Sequence, residues 1–344
     1  WSSDVCSSDL NKLGVVVKFT ESGTKKSRVV WDLRRSGANA KCHQAERIVL
    51  PRLTDLAAAA TRAYRSGKEP WLVALDVRDA FLNIPAGKDK AFTVAAKPGA
   101  DGLNQVIVCD TLVFGAKSSP TIWGRFASLL GRSWASIEPA VRAQIYVDDP
   151  AMVIEGCKGE AISALTNILL WAGVLGFPLK LGKAEGGKAI RWIGAIIKLH
   201  DDSKEVEVTI PLERKKKLLE AVREVASKPI VSRKALASLA GGLSFVAGLV
   251  PHLRPFLDSF GGITNDGASA HSGRLIHVRR IEKALQWVAA LLGEREVPLV
   301  RIFKVAHPEV TAEITTDASP WGLDGVLRLN GNIAGAFAEQ IGRA

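Results

Sequence analysis

The sequence predicts an α+β fold in which short apolar strands end in acidic side chains. One apolar run ends at Asp76, and a second ends at the adjacent pair Asp148 and Asp149. A third apolar run follows the pair, so the two acids are expected at the tip of a tight turn between strands. Helical patterns, among them residues 54–65 and 161–175, alternate with these strands.

The composition indicates a folded chain of several domains with a polyanionic partner. With 344 residues, 47% of them hydrophobic, the chain can form two or three domains with substantial cores. Lys and Arg number 46 against 35 Asp and Glu, the net charge is +11, and the pI is near 9.6. Nucleic acid fits this charge better than a membrane surface does, because the basic residues are dispersed and lie on no single helix.

The cysteines and the hydrophobic runs argue against secretion and membrane insertion. Cys6, Cys42, Cys109 and Cys157 form no closely spaced pair, so neither a zinc ribbon nor a disulfide framework is indicated. The longest uncharged run, residues 235–251, contains several Gly and Ser and predicts a buried helix. No signal peptide is visible. We therefore expect an intracellular protein, in the cytoplasm or nucleus, that is not secreted.

Both ends of the chain look foreign to the fold. Residues 1–10 contain Ser-Ser-Asp twice and are similar to a translated sequencing adapter. Residues 340–344 resemble the same adapter on the opposite strand. We expect both segments to be non-native, and the chain to be a fragment of a longer protein.

The adjacent acids suggest a cation site. Like charges side by side repel, so an apolar hairpin that presents Asp148 and Asp149 usually has a cation to bind. Hard divalent ions with oxygen ligands, Mg²⁺ above all, suit such a pair. Asp76, at the end of a buried strand, can bind an ion or cap the following turn. A solvated turn that happens to contain two aspartates is the alternative.

A basic hairpin is predicted near the start of the chain. Residues 15–19 and 27–33 have the pattern of two strands joined by a polar turn. A phosphate clamp needs mobile cations on a rigid ribbon, although a solvated charged face has the same pattern. The basic residues are Lys18, Lys25, Lys26, Arg28, Arg34 and Arg35.

Further elements are predicted on both sides of the acids. A strand is expected over residues 106–113 and another over residues 190–199. Between them a helix is expected to start with Ser119 as its cap and Pro120 at its first position. The apolar stripe of that helix is expected to be Ile122, Phe126 and Leu129 or Leu130.

The following segments are predicted to be helical. An amphipathic helix over residues 212–225 places Lys215 to Lys217 on its polar side, and Ser232 can cap a helix over residues 235–250. Residues 261–275 are the expected linker.

A new β-domain is predicted near the end of the chain. Residues 314–319 have the pattern of a strand that carries Asp317 near its end. Two further apolar runs are joined by Asn330-Gly331, which is the strongest two-residue signal for a hairpin turn.

Taken in this order, the features resemble a reverse transcriptase of the kind carried by LTR and DIRS-like retrotransposons. Residues 75–81 look like the first catalytic motif of that family, and residues 146–149 look like the second. Residues 114–120 are similar to the turn that contacts template and nucleotide. The likeness covers residues 15–260, and the start of a ribonuclease H-like domain follows from about residue 311.

The resemblance implies a right-hand polymerase fold with fingers, a palm built on an antiparallel sheet, and a helical thumb. The domains it implies are fingers and palm over residues 11–200, thumb-like helices over 201–260, a connection over 261–310, and the truncated start of a ribonuclease H-like domain over 311–339. Because only Asp317 is identifiable among the acids of the last domain, we expect no degradation of RNA strands by this chain.

The implied activity is RNA-directed DNA polymerisation from a retrotransposon polyprotein, with deoxynucleotides (dNTPs) added to a primer 3′ end. The implied partners are an RNA template, an RNA/DNA or DNA primer duplex and dNTPs, without a membrane. Two Mg²⁺ ions are implied as cofactors, and Mn²⁺ can substitute. Asp76 and Asp148 are expected to bridge the ions, with Asp149 as a supporting ligand and the Val77 carbonyl assisting. Lys183 is expected to protonate the pyrophosphate, or else to be a surface lysine.

The resemblance also implies residues that hold the nucleotide and the nucleic acid. Phe81 is expected against the sugar C2′, where a bulky ring excludes a 2′-hydroxyl, or else it is an ordinary core residue. The nucleotide-binding residues are Arg28, with Lys18 or Lys25 beside it, Val77, Asp79, Phe81, Phe114 and Gly115. The template and primer residues are Lys117, Tyr146, Trp192, Ile193 and Gly194.

One departure and two alternatives accompany this interpretation. Pro150 follows the acids where the family has an apolar residue, and it removes a ladder N–H, which is tolerable at the start of a strand. An RNA-directed RNA polymerase is disfavoured by Val147 and Phe81, because that class has Gly before the acids and an acid near the sugar. A decayed retroelement remnant that only binds nucleic acid is the second alternative.

Overall fold

The structure, a computed structural model, describes residues 11–19, 23, 25–88, 93–98, 104–265, 275–293, 297–305, 311–319 and 322–340. The chain divides into two compact units, Trp1–Phe303 and Lys304–Ala344. Among the helices that the structure describes, none is both long enough and apolar enough to cross a lipid bilayer.

Helices and strands alternate along the described chain. The helices are α1 (Ala38–Lys41), α2 (Leu53–Arg65), α3 (Ser119–Ile137), α4 (Lys158–Val174), α5 (Leu212–Ala226), α6 (Arg233–Leu249), α7 (Arg254–Asn265) and α8 (Glu282–Gly293). The strands are β1 (Asn11–Phe19), β2 (Lys25–Asp32), β3 (Pro70–Ala74), β4 (Val94–Pro98), β5 (Asn104–Val108), β6 (Val141–Tyr146), β7 (Asp149–Glu155), β8 (Glu185–Gly187), β9 (Ala189–Trp192), β10 (Ala195–His200), β11 (Glu205–Ile210), β12 (Ile230–Ser232), β13 (Leu275–His277), β14 (Leu299–Lys304), β15 (Ala312–Ser319), β16 (Gly322–Leu329) and β17 (Asn332–Gln340).

A central sheet carries the predicted acids. Its four strands are antiparallel and lie in the order β6-β7-β3-β8. β6 and β7 form the predicted hairpin, with Val147 and Asp148 at its turn. Met152 of β7 packs in one core with Trp134 of α3 and Ile168 of α4. Because helices cover the apolar side chains of these strands, the strand ends are held on a rigid support.

The buried face of α3 differs from the predicted stripe. Trp123, Ala127, Leu130 and Trp134 are buried, whereas Phe126 is 40% exposed and Leu129 is 53% exposed. The prediction of Leu129 or Leu130 was therefore right, since Leu130 is buried, and Ile122 is half-buried against the core that contains Trp123, whereas the prediction was wrong for Phe126. Both sets have helical spacing, and the set with two tryptophans prevails because indole rings bury more apolar area.

The start of α3 is also shifted from its predicted position. The helix begins at Ser119, so Ser118 occupies the cap position and Pro120 is the second helical residue. The Ser119 hydroxyl donates to the Val113 carbonyl oxygen at 2.9 Å. Ser119 therefore ties the helix to the preceding segment and does not cap it.

The predicted basic hairpin is confirmed as the pair β1 and β2. It belongs to a four-stranded sheet in the order β2-β1-β4-β5, and residues 20–22 and 24 of its turn lie outside the described residues. The strand predicted over residues 106–113 ends at Val108. The chain leaves the sheet there because Leu112 donates its N–H to the Ile84 carbonyl, at 2.9 Å.

The strand predicted over residues 190–199 is two strands. β9 and β10 form a hairpin that turns at Ile193 and Gly194, and they belong to an outer sheet in the order β14-β11-β10-β9. Both turn residues have positive φ, 42° for Ile193 and 83° for Gly194. A β-branched residue rarely adopts this conformation, so the sequence carried little signal for the turn.

Helices α5 and α6 confirm the two helices predicted over residues 212–225 and 235–250. The Ser232 hydroxyl caps α6 by accepting the Ala235 N–H at 3.2 Å. Lys215 is buried and donates to the Val297 carbonyl at 3.0 Å, so its placement on a solvated face was wrong. The expected linker over residues 261–275 begins inside α7, which extends to Asn265, and residues 266–274 lie outside the described residues.

The second unit contains a three-stranded antiparallel sheet in the order β15-β16-β17. The predicted hairpin turn is confirmed, with positive φ of 50° at Asn330 and 80° at Gly331. Asp317 lies within β15, opposite Asp324 of β16.

Candidate active site

The register of the central sheet brings Asp76 beside the acidic hairpin. Leu75 donates its N–H to the Pro150 carbonyl, and Val77 donates to the Asp148 carbonyl, both at 2.8 Å. Asp76, which follows β3, therefore lies directly opposite Asp149. These hydrogen bonds make the two acids a non-hydrogen-bonded antiparallel pair, in which side chains point to the same face and approach most closely.

Pro150 is accommodated beside this pair. It accepts the Leu75 N–H, and because proline has no N–H of its own, the Leu75–Pro150 pair forms one hydrogen bond where two are usual. The ladder resumes at Ala74 and Ala151. The expected loss of one ladder donor is thus limited to one position next to Asp149.

Two tryptophans hold the turn that carries the acids. The Trp123 indole donates to the Val147 carbonyl at 2.6 Å, and the Trp192 indole donates to the Asp149 carbonyl at 2.9 Å. Val147 has a φ of 54°, which is a strained conformation for a β-branched residue. These two indole hydrogen bonds hold carbonyls at both Val147 and Asp149, and they therefore stabilise the strained backbone of the turn. Trp123 was not identified from the sequence as a site residue.

Two lysines cap the carboxylate of Asp76. Lys180 donates to Oδ1 at 2.8 Å, and Lys183 donates to Oδ2 at 2.5 Å. Burial alone would raise the pKa of Asp76, but the hydrogen bonds and charges of the two lysines outweigh burial and lower it. The hydrogen bond to Asp76 in turn raises the pKa of Lys183. Lys180 was not predicted as a site residue, whereas Lys183 was.

The pKa of Asp149 shifts in the opposite direction from that of Asp76. Burial, together with the negative charges of Asp148 and Asp76, raises its pKa to about 6, although Lys183 and Lys180 partly offset the effect. Such mutual repulsion among partly buried carboxylates shows that the three acids share one electrostatic environment.

The donor set suits a hard divalent cation, but it is not arranged as a ligand cluster. Carboxylate oxygens are the ligands that Mg²⁺ prefers, and their repulsion would be relieved by a cation. Within the part of the chain that the structure describes, no three His, Cys, Asp or Glu side chains are grouped as metal ligands. Both carboxylate oxygens of Asp76 are instead engaged with ammonium groups, those of Lys180 and Lys183.

The predicted nucleotide residues Arg28, Phe81 and Phe114 contact one another in a series, here called the stack, in which the two rings are tilted by 51°. The rings of Phe81 and Phe114 are 5.0 Å apart, and the Arg28 guanidinium lies 4.2 Å from the centroid of the Phe114 ring. Phe81 is 9% exposed and packs with Val77 in a core that also contains Trp123. The structure thus brings these residues together beside the segment that carries Asp76.

Gly115 lets the hairpin of β1 and β2 approach this stack. Trp31 of β2 donates its N–H to the Phe114 carbonyl at 2.8 Å. Gly115 has a φ of 110°, and a Cβ there would lie 2.0 Å from the Trp31 carbonyl oxygen. Only glycine fits this position.

Asn39 fixes the same turn and was not predicted. Its side chain donates to the Gly115 carbonyl and accepts the Lys117 N–H, both at 2.8 Å. The Lys117 ammonium donates to the Cys42 carbonyl at 3.3 Å. A single asparagine in a one-turn helix carries no sequence signal for such a bridge, since the partners lie more than 70 residues away.

The remaining predicted residues are Asp79, Lys25, Lys18 and Tyr146. Asp79 adopts a left-handed backbone with a φ of 49°, and its carbonyl accepts the Leu82 N–H at 2.7 Å. Lys25 is exposed at the start of β2, and the side chain of Lys18 lies outside the description. Tyr146 pairs with Asp149 across the hairpin.

A cleft connects the acids with the turn between β9 and β10. It has a volume of about 380 Å³, and its lining includes Asp76, Asp149, Lys183, Trp192, Gly194 and Arg214. The predicted residues Trp192, Ile193 and Gly194 therefore border the same space as two of the acids. Arg214 was not identified from the sequence.

Comparison with known proteins identifies the family. Residues 10–197, more than half of the chain, match the family described as reverse transcriptase (RNA-dependent DNA polymerase). A search of curated protein sequences gave no significant match. The matched segment includes the central sheet, its acids and the stack of Arg28, Phe114 and Phe81. The chain therefore belongs to the reverse transcriptase family.

Proposed function

We propose that Asp76, Asp148 and Asp149 are the catalytic acids with which this chain acts as an RNA-directed DNA polymerase. The chain is a nucleotidyltransferase by its family, whose members act on a primer and template with dNTPs and generally use divalent metals. The observation that supports these particular acids is the backbone register that sets Asp76 opposite Asp149. Carboxylates from two separate strands are what a two-ion site requires.

The proposed cofactor is a pair of Mg²⁺ ions, for which Mn²⁺ can substitute. Bound Mg²⁺ supplies charge neutralisation at the attacking and leaving oxygens of an in-line phosphoryl displacement. Asp76 and Asp148 would hold both ions, with Asp149 and the Val77 carbonyl assisting. To hold an ion, Asp76 would give up its hydrogen bonds with Lys180 and Lys183. Lys183, once released, would donate a proton to the pyrophosphate.

The proposed nucleotide site is the stack beside these acids. Arg28 would bind the triphosphate, with Lys18 or Lys25 as further cations, because a guanidinium forms bidentate hydrogen bonds to phosphate. Phe81 would lie against C2′ of the sugar and reject ribonucleotides by steric exclusion. Phe114, Gly115 and Asp79 would complete the pocket. Phe114 supports this arrangement because its ring contacts both Arg28 and Phe81.

The proposed nucleic-acid contacts follow the cleft and the turn before α3. Trp192, Ile193 and Gly194 would seat the primer end, while Lys117 and Tyr146 would contact template and primer. Helices α5 and α6 would act as a thumb that follows the backbone of the duplex. Such contacts are sequence-independent and weaken with salt.

The proposed source of the chain is an LTR or DIRS-like retrotransposon. The fingers and palm would extend over residues 11–200, the thumb over 201–260 and the connection over 261–310. β15 to β17 would be the first strands of a ribonuclease H-like domain, with Asp317 as one of its acids. The three-stranded antiparallel sheet of the second unit is compatible with this assignment.

Primer extension tests the proposed catalytic acids. We expect the wild-type chain to extend oligo(dT) on poly(rA) with dTTP in the presence of Mg²⁺, and Asp148→Asn to lose at least a thousandfold in rate. Asp202→Asn, in the exposed turn between β10 and β11, is the matched control and should retain activity. An Asp148→Asn variant that extends primers at the wild-type rate would exclude this site, and a wild type that binds the hybrid without extending it would favour a decayed remnant.

A further inference from the structure

The turn between β9 and β10 is held by a single arginine from the first turn of α5. One nitrogen of Arg214, Nη1, donates to the carbonyl oxygens of Ile193 and Gly194, each at 3.2 Å. The guanidinium also lies 3.8 Å from the ring centroid of Phe245 on α6. Arg214 thus connects two helices with the turn that borders the acidic cleft.

The turn needs such a support because its backbone is strained. Ile193 has a φ of 42°, which is unfavourable for a β-branched residue, and Gly194 has a φ of 83°. Hydrogen bonds to both turn carbonyls favour this geometry over relaxed alternatives. A Cβ on residue 194 would collide with Nη1, so a side chain there would displace the guanidinium from the turn carbonyls.

The position of Arg214 is itself unusual for a cation. The N-terminus of a helix carries a partial positive charge, which disfavours a basic residue in the first turn. Burial further lowers the pKa of the guanidinium. Both effects disfavour a positive charge at this position. The hydrogen bonds to the two turn carbonyls and the contact with the Phe245 ring offset them.

The residue before the turn is hydrogen-bonded to an acid of the site. Trp192 precedes the turn, and its indole donates to the Asp149 carbonyl at 2.9 Å. A continuous series of contacts therefore runs from Phe245 through Arg214 and the turn to Trp192 and Asp149. Displacement of the turn would change the distance between a seated primer end and the acids.

We propose that Arg214 is a positioning residue that fixes the turn between β9 and β10, and through it the primer 3′ end, relative to Asp149. This inference rests on the proposed role of that turn in seating the primer. Arg214 acts on the placement of the reacting oxygen more than on the affinity for the duplex, because duplex affinity is spread over many phosphate contacts.

Single-turnover extension separates placement from affinity. With saturating hybrid and dTTP, we expect Arg214→Gln to lower the extension rate at least tenfold, while the Kd for the hybrid, measured by fluorescence anisotropy, changes less than threefold. Arg214→Lys should recover part of the rate, since an ammonium can donate to one of the carbonyls. Arg62→Gln removes the same charge from an exposed position of α2, outside the proposed site and thumb, and should stay within twofold of wild type.

Phe245→Leu tests whether the ring acts through the guanidinium. It should lower the rate less than Arg214→Gln, and the double variant should be no slower than Arg214→Gln alone. Additive losses would show that the ring acts independently of Arg214 and would overturn the proposed connection to α6.

Hydrogen exchange gives a readout that does not depend on activity. In Arg214→Gln, amides of residues 190–197 should exchange about tenfold faster, with no change in Arg62→Gln. A wild-type rate or unchanged exchange in Arg214→Gln would overturn the assignment. If the wild type itself fails to extend primers, the proposed catalytic site fails, and the exchange of this segment still decides the role of Arg214.

Discussion

At the scale of single residues, charge balance governs the end of the central sheet. Lys180 and Lys183 lower the pKa of Asp76 against the effect of burial, whereas burial and two neighbouring acids raise the pKa of Asp149 to about 6. One carboxylate is thus stabilised in its charged form, and the one opposite is destabilised. Pairs of acids with diverging pKa values mark functional sites more often than structural ones.

Asp149→Asn should stabilise the metal-free fold near neutral pH. A carboxyl whose pKa rises from 3.8 to about 6 on folding carries a penalty that is fully present above pH 6 and disappears as the pH falls below its unfolded value. We expect a gain of about 1 kcal/mol at pH 7.5, discounted because solvent screens a half-exposed group. Urea unfolding in EDTA measures it.

The pH dependence of that gain is its diagnostic feature. At pH 4 the stability difference between Asp149→Asn and wild type should be close to zero. Asp202→Asn should change stability by less than about 0.5 kcal/mol at either pH, as expected for an exposed site. A gain that stays constant between pH 4 and 7.5 would contradict the electrostatic origin.

Phe81→Val should admit ribonucleotides. The smaller side chain removes the ring proposed to block a 2′-hydroxyl, and we expect the ratio of kcat/KM for dTTP over UTP to fall at least tenfold. The ratio cancels any loss of folded protein, which matters because Phe81 is buried. Phe126→Val, at an exposed position of α3, is the matched control. An unchanged ratio would leave Phe81 as an ordinary core residue.

At the scale of elements, the hairpin of β1 and β2 depends on one close backbone approach. The Trp31 N–H of this hairpin donates a hydrogen bond to the Phe114 carbonyl. The lack of a side chain at Gly115 permits that contact. The hairpin carries Arg28, whose guanidinium lies over the Phe114 ring. Its docking therefore sets the position of a proposed triphosphate ligand.

Gly115→Ala should displace this hairpin. Its Cβ would collide with the Trp31 carbonyl, so we expect a loss of stability of at least about 2 kcal/mol and a rise in KM for dNTP of about tenfold. Gly37→Ala is the matched control, because Gly37 also has positive φ, 76°, but has open space around its Cβ. That variant should lose only about 1 kcal/mol. Equal effects of the two substitutions would show that backbone strain alone is responsible.

Elements with a local signature were predictable, and those that depend on distant partners were not. The acidic hairpin and the Asn330-Gly331 turn follow from alternation and turn chemistry within a few residues. The turn at Ile193 was missed because its geometry is imposed by Arg214, 20 or more residues away. Trp123 and Lys180 likewise acquire their roles only when sheet register sets their partners.

At the scale of the whole molecule, the excess of basic residues predicts binding that depends strongly on salt. A net charge of +11 favours contacts with backbone phosphates, and each contact releases counterions from the duplex. For roughly six such contacts, affinity should fall about a thousandfold between 50 and 200 mM NaCl. Fluorescence anisotropy with a labelled RNA/DNA hybrid measures this, and a Kd that is constant over that range would rule out a phosphate-directed grip.

The lysine pair on Asp76 has a consequence for assembly. Because two ammonium groups already neutralise that carboxylate, we expect the molecule to reach its native architecture without a divalent ion. Metallo-domains that lack internal counter-charges behave differently, since they unfold when stripped with chelators. We therefore expect folding and ion binding to be separate events, and the protein should stay folded during purification in EDTA.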